Sequence, residues 1–166
     1  MWAFMTTGTT QVLKNITDSH SKIDFYFMKK AGTTLVYYED NRKKGVFVSG
    51  RSFEVLAEYG TINKEGFVVM DNIPVMEDGA AVFEDQVKKR FPAINDTEGL
   101  VAARSLKQNK RNHYVIFTQW KNEQHYITWQ KSDLFKEMDF VNMARLPAYF
   151  ADRPYTASYF MMKEEE

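Results

Sequence analysis

The sequence contains no cysteine, so disulfide bonds, thiolate catalysis and cysteine-ligated metals are excluded. This absence agrees with a reducing cytoplasm, where we expect the protein to reside. There is also no surplus of charge, because 22 Lys and Arg residues balance 22 Asp and Glu residues. Proteins that bind nucleic acids contact phosphates through basic surfaces, so the balanced charge argues against a nucleic-acid partner.

The sequence also lacks an apolar run of the roughly 20 residues that a transmembrane helix needs. The apolar N-terminus, 1–5, is too short for the hydrophobic region of a signal peptide, and we interpret it as a first strand. Association with a membrane surface stays open, since it needs only an apolar patch. The hydrophobic fraction of 44% supplies a core for one domain or two small ones.

Several chemical motifs are missing as well. No Gly-rich phosphate loop is present, and nothing in the sequence supplies a nucleophile elbow for a Ser-His-Asp triad. The three histidines have no spacing that is typical of a zinc site. Nucleotide-dependent, serine-hydrolase and zinc chemistry therefore have no support in the sequence.

The chain is predicted to divide in the polar segment 61–66, into a smaller N-terminal half, 1–63, and a C-terminal half, 64–166. The C-terminal half shows the order β-α-β-β-α-β, which is ferredoxin-like. Its period-2 and period-4 patterns predict strands at 67–75, 99–106, 113–120 and 155–162, and helices at 77–90, 123–129 and from 132 onward, with 144–154 as a loop.

The N-terminal half begins with the same order of elements. Its predicted strands are 2–7, 23–28, 34–39 and 45–49, and its predicted helices are 9–17 and 52–58. The fold class is therefore predicted as α+β, with the ferredoxin-like half packed on a smaller, similar half. The two similar sheets are expected to pack face to face, as in a dimeric barrel.

Two residues are the best candidates for chemistry. Asn72 interrupts the apolar strand 67–75, where it could place an amide in a hydrophobic cavity. Its neighbour Asp71 must face the other way, because side chains alternate along a strand. Pro74 leaves open that Asn72 marks a sheet edge or a bulge. Trp129 lies on the helix after the third strand, and a core position is the alternative for it.

Asn72, Gly79, Gly99, Trp120 and the stretch 129–137, Trp-Gln-Lys-Ser-Asp-Leu-Phe-Lys-Glu, together resemble the antibiotic-biosynthesis-monooxygenase (ABM) superfamily. Within it, the chain is similar to the two-domain haem-degrading monooxygenases of bacilli, and to the related staphylococcal family called target of RNAIII-activating protein. The likeness extends to Gly8, 52–55, 66–67, 153–155 and 158–160.

The resemblance implies haem as the bound group and an external reductant. Asn72 would hydrogen-bond near the oxygen that haem binds, and Trp129 would press on the porphyrin. The iron-binding histidine of the family, ten residues beyond the tryptophan, falls on Asp139, a weak metal ligand for haem iron. Met138, beside it, and His125, one helical turn before Trp129, are weaker alternatives.

Three functions remain open at this point. The first is a haem-degrading monooxygenase, which the retained Asn72 and Trp129 favour. The second is a non-catalytic signalling or stress-response protein, which Asp139 favours. The third is an ABM oxygenase that acts on an organic substrate without a cofactor. The N-terminal half is expected to take the place of a second subunit, so a monomer is plausible beside a dimer.

Overall fold

The computed structural model describes residues 1–139 and 152–163. It forms an α+β fold in which a sheet of eight strands is flanked by four α-helices within these residues. The strands are β1 (Trp2–Gly8), β2 (Tyr26–Lys30), β3 (Thr33–Asp40), β4 (Arg51–Gly60), β5 (Phe67–Pro74), β6 (Leu100–Gln108), β7 (His113–Trp120) and β8 (Tyr155–Met161). The helices are α1 (Thr10–Asp18), α2 (Ala80–Arg90), α3 (Glu123–Gln130) and α4 (Asp133–Met138).

The strands close into one antiparallel barrel in the order β1-β3-β2-β8-β5-β7-β6-β4. Each half places its last strand in the sheet of the other half. Strand β4 pairs with β1 and β6, and β8 pairs with β2 and β5. The α+β, barrel-like fold class is confirmed, but the expectation of two sheets packed face to face is wrong, because the halves share hydrogen bonds edge to edge.

The C-terminal half follows the predicted order of strands and helices, whereas the N-terminal half departs from it. The predicted helix 52–58 is part of strand β4, whose residues pair with β1 on one side and β6 on the other. The predicted strand 45–49 is also wrong. This segment forms bends, and the backbone N–H of Val46 donates to the Tyr38 hydroxyl at 2.8 Å. The predicted loop 144–154 lies mostly outside the described residues.

The sheet buries apolar side chains on both faces. The barrel interior holds one core, which includes Met5, Tyr37, Met70 and Phe117. The second core lies between the outer face of the C-terminal strands and helices α2 to α4. The period-2 pattern that predicts a strand at 113–120 is confirmed in β7, since Val115 lies in the interior core and Ile116 in the helix-covered core.

One end of the barrel is closed by polar contacts between the halves. The side-chain amide of Gln119, fully buried on β7, donates to the backbone oxygens of Asn63 and Glu65 at 2.8 and 2.7 Å. Arg104 on β6 donates to the Glu39 carboxylate on β3 at 2.8 Å. These bonds fix the segment that links the halves and pin their relative register.

Among the described residues, no helix is long and apolar enough to cross a membrane.

Candidate functional site

Trp129 lies in an aromatic wall on the helix-covered face of the sheet. Its ring centroid is 5.1 Å from that of Trp120, 4.9 Å from that of Phe135 and 6.2 Å from that of Tyr126. The side chain is 9% exposed, yet its Nε1–H has no hydrogen-bond partner in the described part of the chain. Buried donors are nearly always bonded, so this unsatisfied donor makes Trp129 a candidate binding residue.

The sequence after Trp129 holds this wall in place. Asn122 caps α3 by accepting the N–H of His125 at 3.0 Å. Ser132 donates its hydroxyl to the Trp129 carbonyl at 2.6 Å and accepts the N–H of Phe135 at 3.3 Å. One serine thus ends α3 and begins α4, which explains why the Trp-Gln-Lys-Ser-Asp stretch has a fixed local shape.

Asn72 is buried, but it faces the barrel interior. Its register partner on β7 is Val115, which belongs to the interior core. Its amide Nδ2 donates to the Met70 carbonyl at 3.3 Å, and its Oδ1 lies 3.3 Å from Nε2 of His113. Strand β5 pairs on both sides, so the residue is not at a sheet edge. Asn72 and Trp129 therefore lie on opposite faces of the sheet.

The polar residue that β5 presents to the helices is Asp71. Its register partner Ile116 lies in the helix-covered core, and its Oδ1 accepts the hydroxyl of Thr156 at 2.7 Å. Burial, and to a smaller degree the charge of Asp139, raise the pKa of Asp71 to about 6 against the lowering effect of the Thr156 bond. The sequence identified Asp71 only as the neighbour that faces away from Asn72, and the burial of Phe67, Val69 and Ile73 in the helix-covered core now assigns it to the side of the aromatic wall.

Asp139 directly follows α4 and is half-buried. Its charge also acts on Tyr126, whose pKa is raised to about 12 by burial and then by the charges of Asp71 and Asp139. Tyr126 thus stays protonated, and its oxygen accepts the Gln130 amide at 3.0 Å. The carboxyl groups of Asp71 and Asp139 therefore both act on the phenol of the aromatic wall. Among the described residues, no group of three His, Asp or Glu residues is suited to hold a metal.

A cleft of about 520 Å³ opens beside Trp129, between α3 and the loop 95–98. This volume lies in the range of small-molecule pockets. His125 lines the cleft and packs against the backbone of Gly99, whose φ is +81°. A Cβ at position 99 would overlap the His125 ring, so glycine is required there on both counts.

A known family of domains matches the part of the chain that carries this aromatic wall. The model of the antibiotic biosynthesis monooxygenase family matches residues 66–139. This segment is therefore similar to that family, and the resemblance that the sequence indicated is confirmed. The match spans the strand with Asp71 and Asn72, the aromatic wall and Asp139.

Two curated relatives extend the likeness over most of the chain. The heme-degrading monooxygenase of Listeria monocytogenes is 26% identical over 135 residues, which are 81% of this chain and 80% of that protein. The signal transduction protein TRAP of Staphylococcus epidermidis is 24% identical over 160 residues, which are 96% of this chain and 94% of that protein. The chain is thus similar to one enzyme and to one signalling protein.

Solved structures show the same fold. A major regulator of staphylococcal pathogenesis superposes with a TM-score of 0.87 at 21% identity, over 98% of this chain and all of that one (100%). The heme-degrading enzyme LmHde from Listeria monocytogenes superposes with a TM-score of 0.80 at 21% identity, with coverage of 98% and 100%. At these identities the likeness establishes the barrel fold alone.

The raised pKa of Asp71 predicts a pH-dependent stability. Because the folded pKa of about 6 lies above the ordinary value of 3.8, ionisation opposes folding. The penalty is absent below about pH 4 and complete above about pH 6, and it amounts to about 3 kcal/mol. Asp71→Asn is therefore expected to stabilise the protein by up to about 3 kcal/mol at pH 7.5 and to be nearly neutral at pH 4.

Urea unfolding at the two pH values measures this effect. Asp18→Asn, which removes a charge from an exposed position at the end of α1, serves as the matched control. The gain of the Asp71 variant should appear only at the higher pH, and the control should show no such difference. An equal effect of Asp71→Asn at both pH values would contradict the buried, charge-opposed environment.

Proposed function

We propose that this protein binds haem against the aromatic wall of α3 and α4 and opens the porphyrin ring with dioxygen and an external reductant, which releases the iron. The haem is the substrate, and the redox chemistry belongs to its iron. The chain would supply an apolar, aromatic contact surface, with the carboxyl groups of Asp71 and Asp139 near it.

The observation that carries the proposal is the buried, unpartnered Nε1–H of Trp129. It stands in a wall formed with Trp120, Tyr126 and Phe135, whose rings lie within 6.2 Å of the Trp129 ring. Aromatic faces suit a planar macrocycle, and a donor at the wall suits an acceptor on the ligand. The relative that degrades heme matches this chain through the same segment.

The residues present fit the macrocycle better than they fit its iron. Asp139 offers a carboxylate where imidazole would hold haem iron well. Asp71 is the second carboxyl on this side of the sheet, and at neutral pH it adds a further negative charge. We therefore expect haem to be held mainly by the wall. The role of Asn72 near the haem-bound oxygen stays a prediction, because its side chain faces the barrel interior, away from the wall, with Oδ1 3.3 Å from Nε2 of His113.

Titration with hemin tests the proposal. We expect a saturable Soret shift at micromolar hemin, followed by loss of the Soret band when ascorbate is added in air. Trp129→Phe keeps an aromatic ring in the wall but removes the Nε1–H together with part of the indole surface. It is expected to weaken hemin binding by about tenfold or more and, because the side chain is buried, to lower the thermal midpoint by a few degrees without unfolding the protein.

Asp18→Asn is the control for this titration and should bind hemin as the unmodified chain does. No Soret shift at micromolar hemin would overturn the proposal. Hemin binding without loss of the Soret band in ascorbate and air would support haem as a ligand and contradict the enzymatic step.

A signalling role is the second candidate, and one observation favours it. The carboxylate of Asp139 stands where an enzyme of this type would need an imidazole, and the staphylococcal signalling protein matches 96% of this chain. In that case hemin would produce no saturable shift, and Trp129→Phe would not change the hemin titration. Turnover of a quinol without hemin would point instead to a cofactor-free oxygenase.

A further inference from the structure

At the end of the barrel opposite the Gln119 contacts, several inward-facing side chains are basic or polar. Here β5 ends, β2 ends, and β4, β7 and β8 begin. The register directs Arg51, Asn72, His113, Tyr155 and Lys30 toward the interior at this end, because each is in phase with a residue of the interior core. We call these five residues the basic mouth.

Burial increases from the rim of the basic mouth to its innermost residue. Lys30 and Tyr155 at the rim are exposed, Tyr155 by 54%. Arg51 and His113 are half-buried one step further in, and Asn72 at the floor is 4% exposed. A small ligand that entered here would meet cations first and then the Asn72–His113 pair.

The charges of the mouth are not balanced by the described residues. The Arg51 guanidinium contacts the thioether of Met5 at 3.4 Å and lies 5.6 Å from the centre of the Phe53 ring, neither of which is an anion. The Lys30 ammonium lies 6.0 Å from the centre of the Tyr159 ring. In the strands as described, none of the inward-facing end positions at this mouth is a carboxylate.

His113 lies close to the positive charges of this end of the barrel. Burial, then the positive charges of Arg51 and Arg111, lower the pKa of His113. Among the inward-facing positions of the described strands, the other ionisable groups at this end are Lys30 on β2 and the phenols of Tyr155 and Tyr159 on β8. The other end differs, because its buried cation, Arg104, is neutralised by Glu39 at 2.8 Å.

We propose that the basic mouth is a binding site for a small anion that presents carboxylate or phosphate oxygens. Arg51 and Lys30 supply the charge, and hydrogen bonds from charged donors to such oxygens are the strong ones in proteins. His113 and the Asn72 amide recognise an oxygen at the floor. The site faces the barrel interior, so it is separate from the aromatic wall and does not depend on haem binding.

Calorimetry and nuclear magnetic resonance of the full chain test this site, with inorganic phosphate and succinate as probes at constant ionic strength. We expect saturable binding of one anion per chain. Binding is expected to raise the pKa of His113, because the anion offsets the field of Arg51 and Arg111. The probe that binds more tightly identifies whether phosphate or carboxylate is preferred.

Arg51→Gln is expected to weaken anion binding by about tenfold or more, because it removes a charge-assisted bond, and to raise the pKa of His113 even without anion. Lys30→Gln should weaken binding by a smaller factor. Lys29→Gln is the matched control, since Lys29 faces outward on the same strand and pairs with Phe160. The control should bind both probes unchanged.

Two results would overturn the proposal. One is the absence of a saturable shift with either probe at low millimolar concentration. The other is an equal loss of binding in the Lys29 and Lys30 variants, which would mean that only the overall charge matters. Circular dichroism of each variant shows whether it folds. If Arg51→Gln does not fold, the comparison of Lys30→Gln with Lys29→Gln still tests the proposal.

Discussion

Arg104→Ala is expected to lower the free energy of unfolding by about 3 to 5 kcal/mol, the range found when one partner of a buried ion pair is removed. Arg104 is 4% exposed, and its Nε donates to the Glu39 carboxylate at 2.8 Å. Its Nη1 and Nη2 donate to the carbonyls of Tyr59 and Gly60 at 2.8 and 3.1 Å. The substitution leaves all of these acceptors without their donor inside the barrel.

The loss of stability is large because the Glu39 carboxylate also accepts a second buried hydrogen bond. The Tyr37 hydroxyl donates to the same Glu39 oxygen at 2.8 Å, and burial together with that carboxylate holds the pKa of Tyr37 well above its ordinary value. Without Arg104, the partly buried Glu39 carboxylate loses its charged partner on β6 and keeps the neutral hydroxyl of Tyr37. Since Arg104 lies on β6 and Glu39 on β3, the pair joins the two halves, and its loss should weaken both together.

Urea unfolding of a double-mutant cycle measures this coupling. Arg104→Met with Glu39→Gln removes both charges, fills most of the volume and leaves an acceptor for Tyr37. Buried ion pairs are often replaced by apolar groups with little loss, so the double variant should recover much of the stability lost in either single one. A loss under about 1 kcal/mol for Arg104→Ala would contradict the buried, joining role.

Part of the fold could not be predicted from the sequence, because strands of one half pair with strands of the other half. Residues 52–58 include Glu, Leu and Ala, which favour helices, and Gly60 follows as a helix stop would. The segment is a strand because β1 and β6 hydrogen-bond to it from both sides. The pairing with β6 joins residues far apart in sequence, and no local pattern reports it. The C-terminal elements carry their own periodic patterns and were predicted.

The local part of the candidate site could be predicted from the sequence, whereas the part that depends on the closed barrel could not. The stretch from Trp129 to Asp133 carries its own cap and its own stop at Ser132, so its local shape can be inferred from the sequence. The phase of β5 cannot be inferred in that way. Both faces of this strand are covered, one by the interior core and one by the helices, so its residues are apolar on both sides of Asp71 and Asn72. Which of the two neighbours faces the wall depends on the closed barrel.

Asp139→His is expected to have the largest effect on haem. An imidazole at the end of α4 would replace a hard carboxylate with the ligand that holds haem iron in many proteins, and would remove a negative charge beside Asp71. We expect hemin affinity to rise by about tenfold or more, the Soret band to sharpen, and ascorbate-dependent haem loss to accelerate. Without haem, the same variant should lower the pKa of Asp71 and of Tyr126, because the charge of Asp139 contributes to raising both.

Asp133→His is the matched control, because it makes the same substitution in the first turn of the same helix, away from Asp139. It should leave the hemin titration unchanged, since its imidazole lies at the other end of α4. A variant Asp139→His that lowers the pKa of Asp71 but leaves the Soret band unchanged would show that position 139 lies beside the carboxyl group and not beside iron. A gain in turnover in that variant alone would identify the imidazole as the group that separates this chain from an efficient haem-degrading enzyme.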